Sequence, residues 1–309
     1  MTQPDRPAGR GHKLAPTPVS IAARDLGLPV VTPVKLRAFA AEVRAMGIER
    51  CVVASYGRIV PAALLEAAPL WLNVHPSLLP LYRGATPIQS AIRDGRPATA
   101  LSIIAMDAGM DTGDLLAQHG PVEIGEGETY GELHDRLAAL GAQVLAETLA
   151  ADARGELRRV TQRERARELG ITPAEIERTL TRPWTKADTV LPADATAAQL
   201  VDRIRALAPK PGATFTDVRA ATGAPLPALK ILRAHAIAEL PVTGVPDVPG
   251  GSVVASNGRL FVRATDGWIA VDEVVPAGKR AMPIAAWANG SRLDDLFIAG
   301  EMFALDGPR

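Results

Sequence analysis

What this chain lacks narrows its possible roles. It has a single cysteine, Cys51, so no disulfide can form within it, and that usage suits a reducing cytosol. Cys51 lies in the apolar run Cys51-Val52-Val53-Ala54, which reads as a buried strand with a packed thiol. There is no formal net charge, because 34 basic side chains balance 34 acidic ones. That argues against a nonspecific polyanion binder and leaves room for a local basic patch. No apolar run approaches the roughly 20 residues that a membrane-spanning helix needs. Asp5 and Arg6 stand where the apolar heart of a signal peptide would be, so a cytoplasmic location is expected. No internal repeat is visible. The remainder, 309 residues of which 47% are hydrophobic, reads as a globular chain long enough for two domains.

The apolar pattern predicts helices over 18–26, 38–46, 62–67 and 88–93. A longer one is predicted over 129–149, where Leu133, Leu137, Leu140, Val144, Leu145 and Thr148 keep a helical spacing. Short apolar runs at 28–31, 50–55, 70–74 and 100–106 read as strands, and 114–118 leads into another. Such alternation implies an α/β parallel sheet. Ligands of such sheets bind outside the carboxyl ends of the strands, where 56–61 and 73–75 fall. The charged stretch 154–168 reads as a solvated helix face, since glutamates interrupt its arginines. The proline-bearing, polar stretch 184–196 reads as a linker. An amphipathic helix follows over 197–208. The runs at 228–232, 251–255, 259–264 and 268–275, turned at Gly258 and Asp266-Gly267, suggest a small barrel or sandwich. The expected division is 1–183, a linker at 184–196, and 197–309.

The chemistry concentrates in 73–89, NVHPSLLPLYRGATPIQ. Asn73 and His75 are two residues apart, so on a strand they share a face. An amide donor beside an imidazole can polarise and protonate a developing oxyanion. Pro76, Pro80, Gly84 and Pro87 then hold an open loop. Further on, MDAGMDTGD carries Asp107, Asp111 and Asp114. A carboxylate bonded to an imidazole fixes its tautomer and favours the imidazolium, and Asp111 suits that part. Asp107 and Asp114 read as ordinary members of the acidic loop. The loop lacks the spacing and closing glutamate of a calcium site, so no metal is expected. His12, His119, His134 and His235 have no comparable partners in the sequence.

An Asn-x-His followed at this distance by an aspartate in a Gly-rich loop resembles the folate-dependent formyltransferase family. The opening PDRPAGRGHKL brings the resemblance to its methionyl-tRNA branch, and PAGKRAM at 276–282 extends it toward the C-terminus. The resemblance implies a Rossmann-like parallel-sheet catalytic domain followed by a small OB-like β-barrel that binds tRNA. It implies formyl transfer from 10-formyltetrahydrofolate to initiator methionyl-tRNA by a monomer, with no metal. By the same resemblance, Asn73, His75 and Asp111 are catalytic. Ser77, Leu78, Leu79 and Pro80 contact the folate, the apolar pair covering its rings, together with the loop Arg58, Ile59 and Val60. Arg6, Arg10 and Lys13 in the opening loop, and Lys279 and Arg280, face the tRNA. Arg83 and Gln89 belong to the signature with roles left open. Family members carry a strand, turn, helix and strand ahead of the PDRPAGRG loop, whereas this chain starts at the loop. The sheet is therefore expected to lack two strands, to expose the run at 51–54 and to fold poorly. Two other readings compete: another formyltransferase or hydrolase that uses 10-formyltetrahydrofolate, and an inactive truncated remnant that binds tRNA or folate.

Overall fold

The computed structural model describes residues 1–8, 13–214, 218–219, 229–242, 248, 250–291 and 302–305. In chain order the first half comprises β1 (Arg6–Ala8), β2 (Lys13–Ala15), α1 (Pro18–Asp25), α2 (Leu36–Ala45), β3 (Arg50–Ala54), α3 (Ala62–Leu65), β4 (Leu70–His75), α4 (Pro87–Arg93), β5 (Ala98–Ala105) and β6 (Leu115–Glu123). Then come α5 (Tyr130–Ala153), α6 (Gln162–Glu168), α7 (Pro173–Arg178), a 3-10 turn at Ala187–Thr189 and α8 (Ala197–Leu207). The last part holds β7 (Ala213–Thr214), β8 (Val218–Arg219), β9 (Leu229–Ile237), β10 (Val253–Ser256), β11 (Arg259–Arg263), β12 (Trp268–Pro276), β13 (Met282–Pro283), α9 (Ile284–Ser291) and β14 (Met302–Leu305). None of the helices described is long and apolar enough to cross a membrane.

Local chemistry sets the helix starts. Thr17 accepts from the Ser20 amide at 3.1 Å, with Pro18 in the first turn of α1. Thr161 with Glu164, and Thr196 with Gln199, form reciprocal capping boxes at α6 and α8. In α2, Leu36, Phe39, Ala40 and Val43 recur at helical spacing, and all are buried.

The first sheet has the order β3-β4-β5-β6. β3 and β4 run parallel, from Arg50 opposite Leu70 to Ala54 opposite Val74. β4 and β5 run antiparallel, from Leu72 opposite Ala105 to His75 opposite Ser102. The sheet is therefore mixed, where strand–helix alternation had predicted a parallel one. The expected strand at 28–31 does not form, although the Val31 carbonyl accepts from the Thr2 amide at 3.0 Å. Among the described residues β3 is an edge strand, and only one of its faces is covered. Cys51 and Val53 pack on a cluster built from Phe39, Val43, Leu64 and Trp71, and burial pushes the Cys51 thiol up. Val52, on the other face, is 44% exposed. The run read as a fully buried strand is thus half-buried, because α2 and α3 cover one side only.

The second sheet is antiparallel and eight-stranded, in the order β7-β9-β12-β11-β10-β14-β8, with β13 beside β12. All four β-rich runs expected in this part form strands. Asn257 and Gly258, both at positive φ, turn the β10–β11 hairpin, as two-residue loops of this kind require. Leu200, Ile204 and Leu207 of α8 bury against Ile231, Val253, Val262 and Ile269. Leu191 and Ala195 belong to the same core, so the stretch 184–196 is packed for part of its length. The chain separates into two compact units interleaved in sequence. One holds Met1–His75, Ser102–Gln118 and Gln143–Pro173; the other holds Pro76–Leu101, His119–Ala142 and Ala174–Arg309.

The open face of β3 generates a prediction. An exposed apolar edge strand templates association, and a charge there blocks it. Val52→Lys should reduce light scattering on heating while changing folding stability by no more than about 0.5 kcal/mol, as for other surface substitutions. A loss of several kcal/mol in urea unfolding would show that the face is covered.

Candidate active site

β4 carries Asn73 and His75 on one face, as strand periodicity requires. His75 is 4% exposed, and Asn73 is half-buried. Asp111 meets them from the loop between β5 and β6. The Asn73 amide donates to Asp111 Oδ1 at 3.1 Å across 38 residues of sequence. His75 Nδ1 lies 3.6 Å from Asp111 Oδ2, within ion-pair reach and longer than a hydrogen bond. The three side chains expected to act together do converge.

The loop that delivers Asp111 is tightly determined. Asp107 Oδ1 accepts from the Gly109 amide at 3.0 Å, and the Thr112 hydroxyl lies 2.7 and 2.9 Å from the two Asp107 oxygens. The Ala105 amide donates to the Asp114 carbonyl, and the Met106 amide to the Trp71 carbonyl of β4, both at 2.8 Å. Asp111 itself has φ +54°, a left-handed conformation that non-glycine residues seldom adopt. A Cβ on Gly113 would sit 1.8 Å from the Ala105 carbonyl oxygen, so only glycine lets the two chain segments approach this closely. Asp107, read from sequence as an ordinary member of the loop, is its internal anchor.

Two further groups reach this region from outside the expected set. Gln162, buried at the start of α6, donates through Nε2 to the carbonyls of Asp111 at 2.7 Å and Gly113 at 2.8 Å. On the next strand, Ser102 stands opposite His75 and receives a hydrogen bond from Gln118 Nε2 at 3.0 Å, while Arg165 Nε donates to Gln118 Oε1 at 2.7 Å. The sequence offers one cue to them, the polar Gln162 beside the Thr161–Glu164 capping pattern, within a stretch whose charge pattern reads as a solvated face.

The remaining expected site residues divide by exposure. Ser77 is buried and donates to the Leu81 carbonyl at 2.7 Å. Leu79 is fully buried. Of Leu78 and Leu79 only Leu78, half-buried, offers surface, and Pro80 is buried. The Arg58 guanidinium donates to the carbonyls of Pro33 at 3.4 Å and Val34 at 3.1 Å. Ile59 is 82% exposed and Val60 is buried. Arg6 is exposed and donates to Gln3, and Lys13 opens β2. Arg10 lies outside the described residues. Lys279 and Arg280 are exposed in the segment after β12. Arg83 contributes through its backbone, its carbonyl accepting from the Thr181 amide at 2.8 Å, and Gln89 is half-buried in α4.

A buried Asn-x-His strand faced by an aspartate in a Gly-rich loop, followed by an antiparallel sheet, defines a formyl transferase. The formyl transferase family model matches residues 1–149, and the formyl transferase C-terminal domain model matches 183–292. A methionyl-tRNA formyltransferase of Heliobacterium modesticaldum is 39% identical over 306 residues, 97% of this chain and 91% of that protein. Another, of Symbiobacterium thermophilum, is 41% identical over 296 residues, 94% of this chain and 83% of that protein. The chain belongs to the methionyl-tRNA formyltransferase family. Among solved structures, the N-formyltransferase of Helicobacter canadensis with folinic acid and dTDP-3-aminofucose has a TM-score of 0.58 at 14% identity, covering 87% of this chain and 86% of that one. HypX of Aquifex aeolicus with tetrahydrofolic acid has a TM-score of 0.54 at 16% identity, covering 82% of this chain and 40% of that one. At such identities these two establish the fold alone.

The close approach at Gly113 can be tested directly. Gly113→Ala must push the loop off the Ala105 carbonyl, and overpacking of this kind costs about 1–3 kcal/mol. Urea unfolding should show that loss, and activity should fall with it as Asp111 moves. An unchanged melt would mean that the loop has room the structure does not show.

Proposed function

We propose that this chain transfers a formyl group from 10-formyltetrahydrofolate to the α-amino group of methionine esterified to initiator tRNA. It does so in the cytoplasm, as a monomer. The observation that carries the reading is the convergence of Asn73, His75 and Asp111, with an amide and an imidazole on one strand face and a carboxylate against both. The identity to methionyl-tRNA formyltransferases over nearly the whole chain favours this acceptor over that of other formyl-transferring enzymes. The catalytic part is placed at 1–183 and the tRNA-binding part at 197–309.

The amine attacks the formyl carbon, forming a new C–N bond and placing negative charge on the formyl oxygen. Asn73 carries a second N–H beside the one given to Asp111, and it donates to that oxygen. With Nδ1 turned to Asp111, His75 serves the oxygen through Nε2 as an imidazolium. Donors aimed at the developing charge act most strongly at a site that excludes water. Asp111 keeps His75 oriented and charged, and it takes the proton released by the attacking amine, directly or through water. When the oxyanion collapses, the bond from carbon to N10 breaks and its electron pair leaves with N10, which is then protonated. Leu78 and Ile59 offer apolar surface to the folate rings. Arg6, Arg10 and Lys13, with Lys279 and Arg280, offer positive charge to the tRNA phosphates.

Purified chain supplied with 10-formyltetrahydrofolate and methionyl-tRNA should yield formyl-methionyl-tRNA, read by mass spectrometry. His75→Ala, Asn73→Ala and Asp111→Ala should each slow it by more than about tenfold, since oxyanion donors and general acids contribute about 10²- to 10⁴-fold. Near-normal turnover in His75→Ala would remove it from the mechanism. Arg10→Ala should raise KM for methionyl-tRNA while leaving that for the folate donor unchanged; equal losses for both would mean that Arg10 supports the fold instead.

A further inference from the structure

We propose that Gln162 is a positioning residue for formyl transfer. It holds Asp111 in its left-handed conformation, and α6 is the element that braces the site from behind. The inference rests on the reading of Asp111 as a member of the catalytic trio.

Aspartate is one of the few residues besides glycine that tolerates the left-handed region, and its contacts decide how firmly it is held there. Asp107 and Gly113 shape the loop from within. Gln162 reaches the Asp111 peptide carbonyl from outside the loop. Its amide nitrogen carries two hydrogens, and carbonyls at 2.7 and 2.8 Å, those of Asp111 and Gly113, take both. Gln162 is 4% exposed, so these bonds are made away from water, where an unsatisfied carbonyl is costly. One side chain thus ties down the residues on either side of Thr112 and limits how far Asp111 can move toward or away from His75.

Gln162 is itself fixed by three independent attachments. The segment entering α6 exchanges backbone hydrogen bonds with the start of β6, Leu115 N to Val160 O at 2.8 Å and Val160 N to Leu115 O at 3.0 Å. The helix is then closed by the Thr161–Glu164 capping box. One turn further on, Arg165 reaches Gln118, which donates to Ser102, the residue opposite His75 in the β4–β5 register. Val160, Gln162 and Arg165 therefore run alongside residues 111–118. The same short helix supports the aspartate through Gln162 and the strand behind the histidine through Arg165. A solvated charged helix would need none of these contacts.

The test is Gln162→Met, which keeps the length of the side chain and removes both donors. A displacement of about 1 Å at a reacting group can cost about 10²-fold in rate. The expected result is a kcat lower by about 10- to 100-fold, with KM for 10-formyltetrahydrofolate and for methionyl-tRNA within about twofold of the starting protein. Gln162→Asn, one methylene too short to reach both carbonyls, should shift kcat in the same direction and serves if the methionine variant does not fold. Placed on Asp111→Ala, Gln162→Met should change kcat by less than about twofold, because a residue acting through Asp111 has nothing left to position. Val144→Ala, a core truncation in α5, should lower Tm and leave kcat unchanged. Normal kcat in both Gln162 variants while Asp111→Ala is inactive would overturn this inference and leave the catalytic reading standing. Normal kcat in Asp111→Ala would overturn both. A full additive loss in the double variant, or an equal kcat loss in Val144→Ala, would reduce Gln162 to a structural residue.

Discussion

The site depends on holding one aspartate in a left-handed backbone conformation. Asp111 sits at φ +54°, and from there its two oxygens face Asn73 and His75. Everything around the loop serves that placement. Gly113 allows a backbone approach no other residue permits, Asp107 gathers Gly109 and Thr112, and Gln162 takes the outward carbonyls. Strain of this kind is common at active sites and is sustained by the surrounding packing. Here the support is mostly polar, so the loop is held by directional contacts that fix the position of a carboxylate more finely than apolar packing would.

The other half of the site depends on register. Asn73 and His75 share a face because β4 is a strand, and a slip of one residue would turn both away. The strand is held on both sides, by parallel pairing with β3 and antiparallel pairing with β5. The antiparallel neighbour puts Ser102 opposite His75, and its following segment turns directly into the loop of Asp111. One strand and the turn after it therefore align the histidine and deliver the aspartate.

The trio was legible in the sequence because its members follow simple spacing rules and stand in a distinctive setting of prolines and glycines. Most helices and strands were legible from periodicity. The direction of β5 was not, since an apolar run of eight residues carries no sign of which way it pairs. The half-exposure of β3 was hidden for a related reason: Cys51-Val52-Val53-Ala54 is apolar on both faces, and only tertiary structure decides which face is covered. The burial of Leu79 was not legible, because an apolar residue beside a loop can face either solvent or the core. Gln162, Gln118 and Arg165 were missed on physical grounds. A buried glutamine that bonds to backbone carbonyls has no periodicity and no fixed partner type, and on a helix rich in arginine and glutamate it looks like one more solvated side chain.

The distribution of contacts treats the two halves of the site differently. Apolar surface lies open near the N-terminal side of the chain, at Val19, Leu26, Leu28, Val34, Val52 and Ile59, and β3 is the edge of its sheet among the described residues. Such surface weakens the folded state and invites association. The bracing of the Asp111 loop comes from elsewhere: from β5, from contacts within 105–114, from the start of β6 and from α6. In the order β3-β4-β5-β6, β4 stands between the open strand and that bracing, and Met106 ties the aspartate loop to β4 through Trp71. β3 pairs directly with the histidine strand, Val53 opposite Asn73 and Ala54 opposite Val74, so disturbance at its open face reaches β4 without an intervening strand. The aspartate loop is thus held by contacts that the exposed side does not share, whereas the register of Asn73 and His75 depends in part on β3.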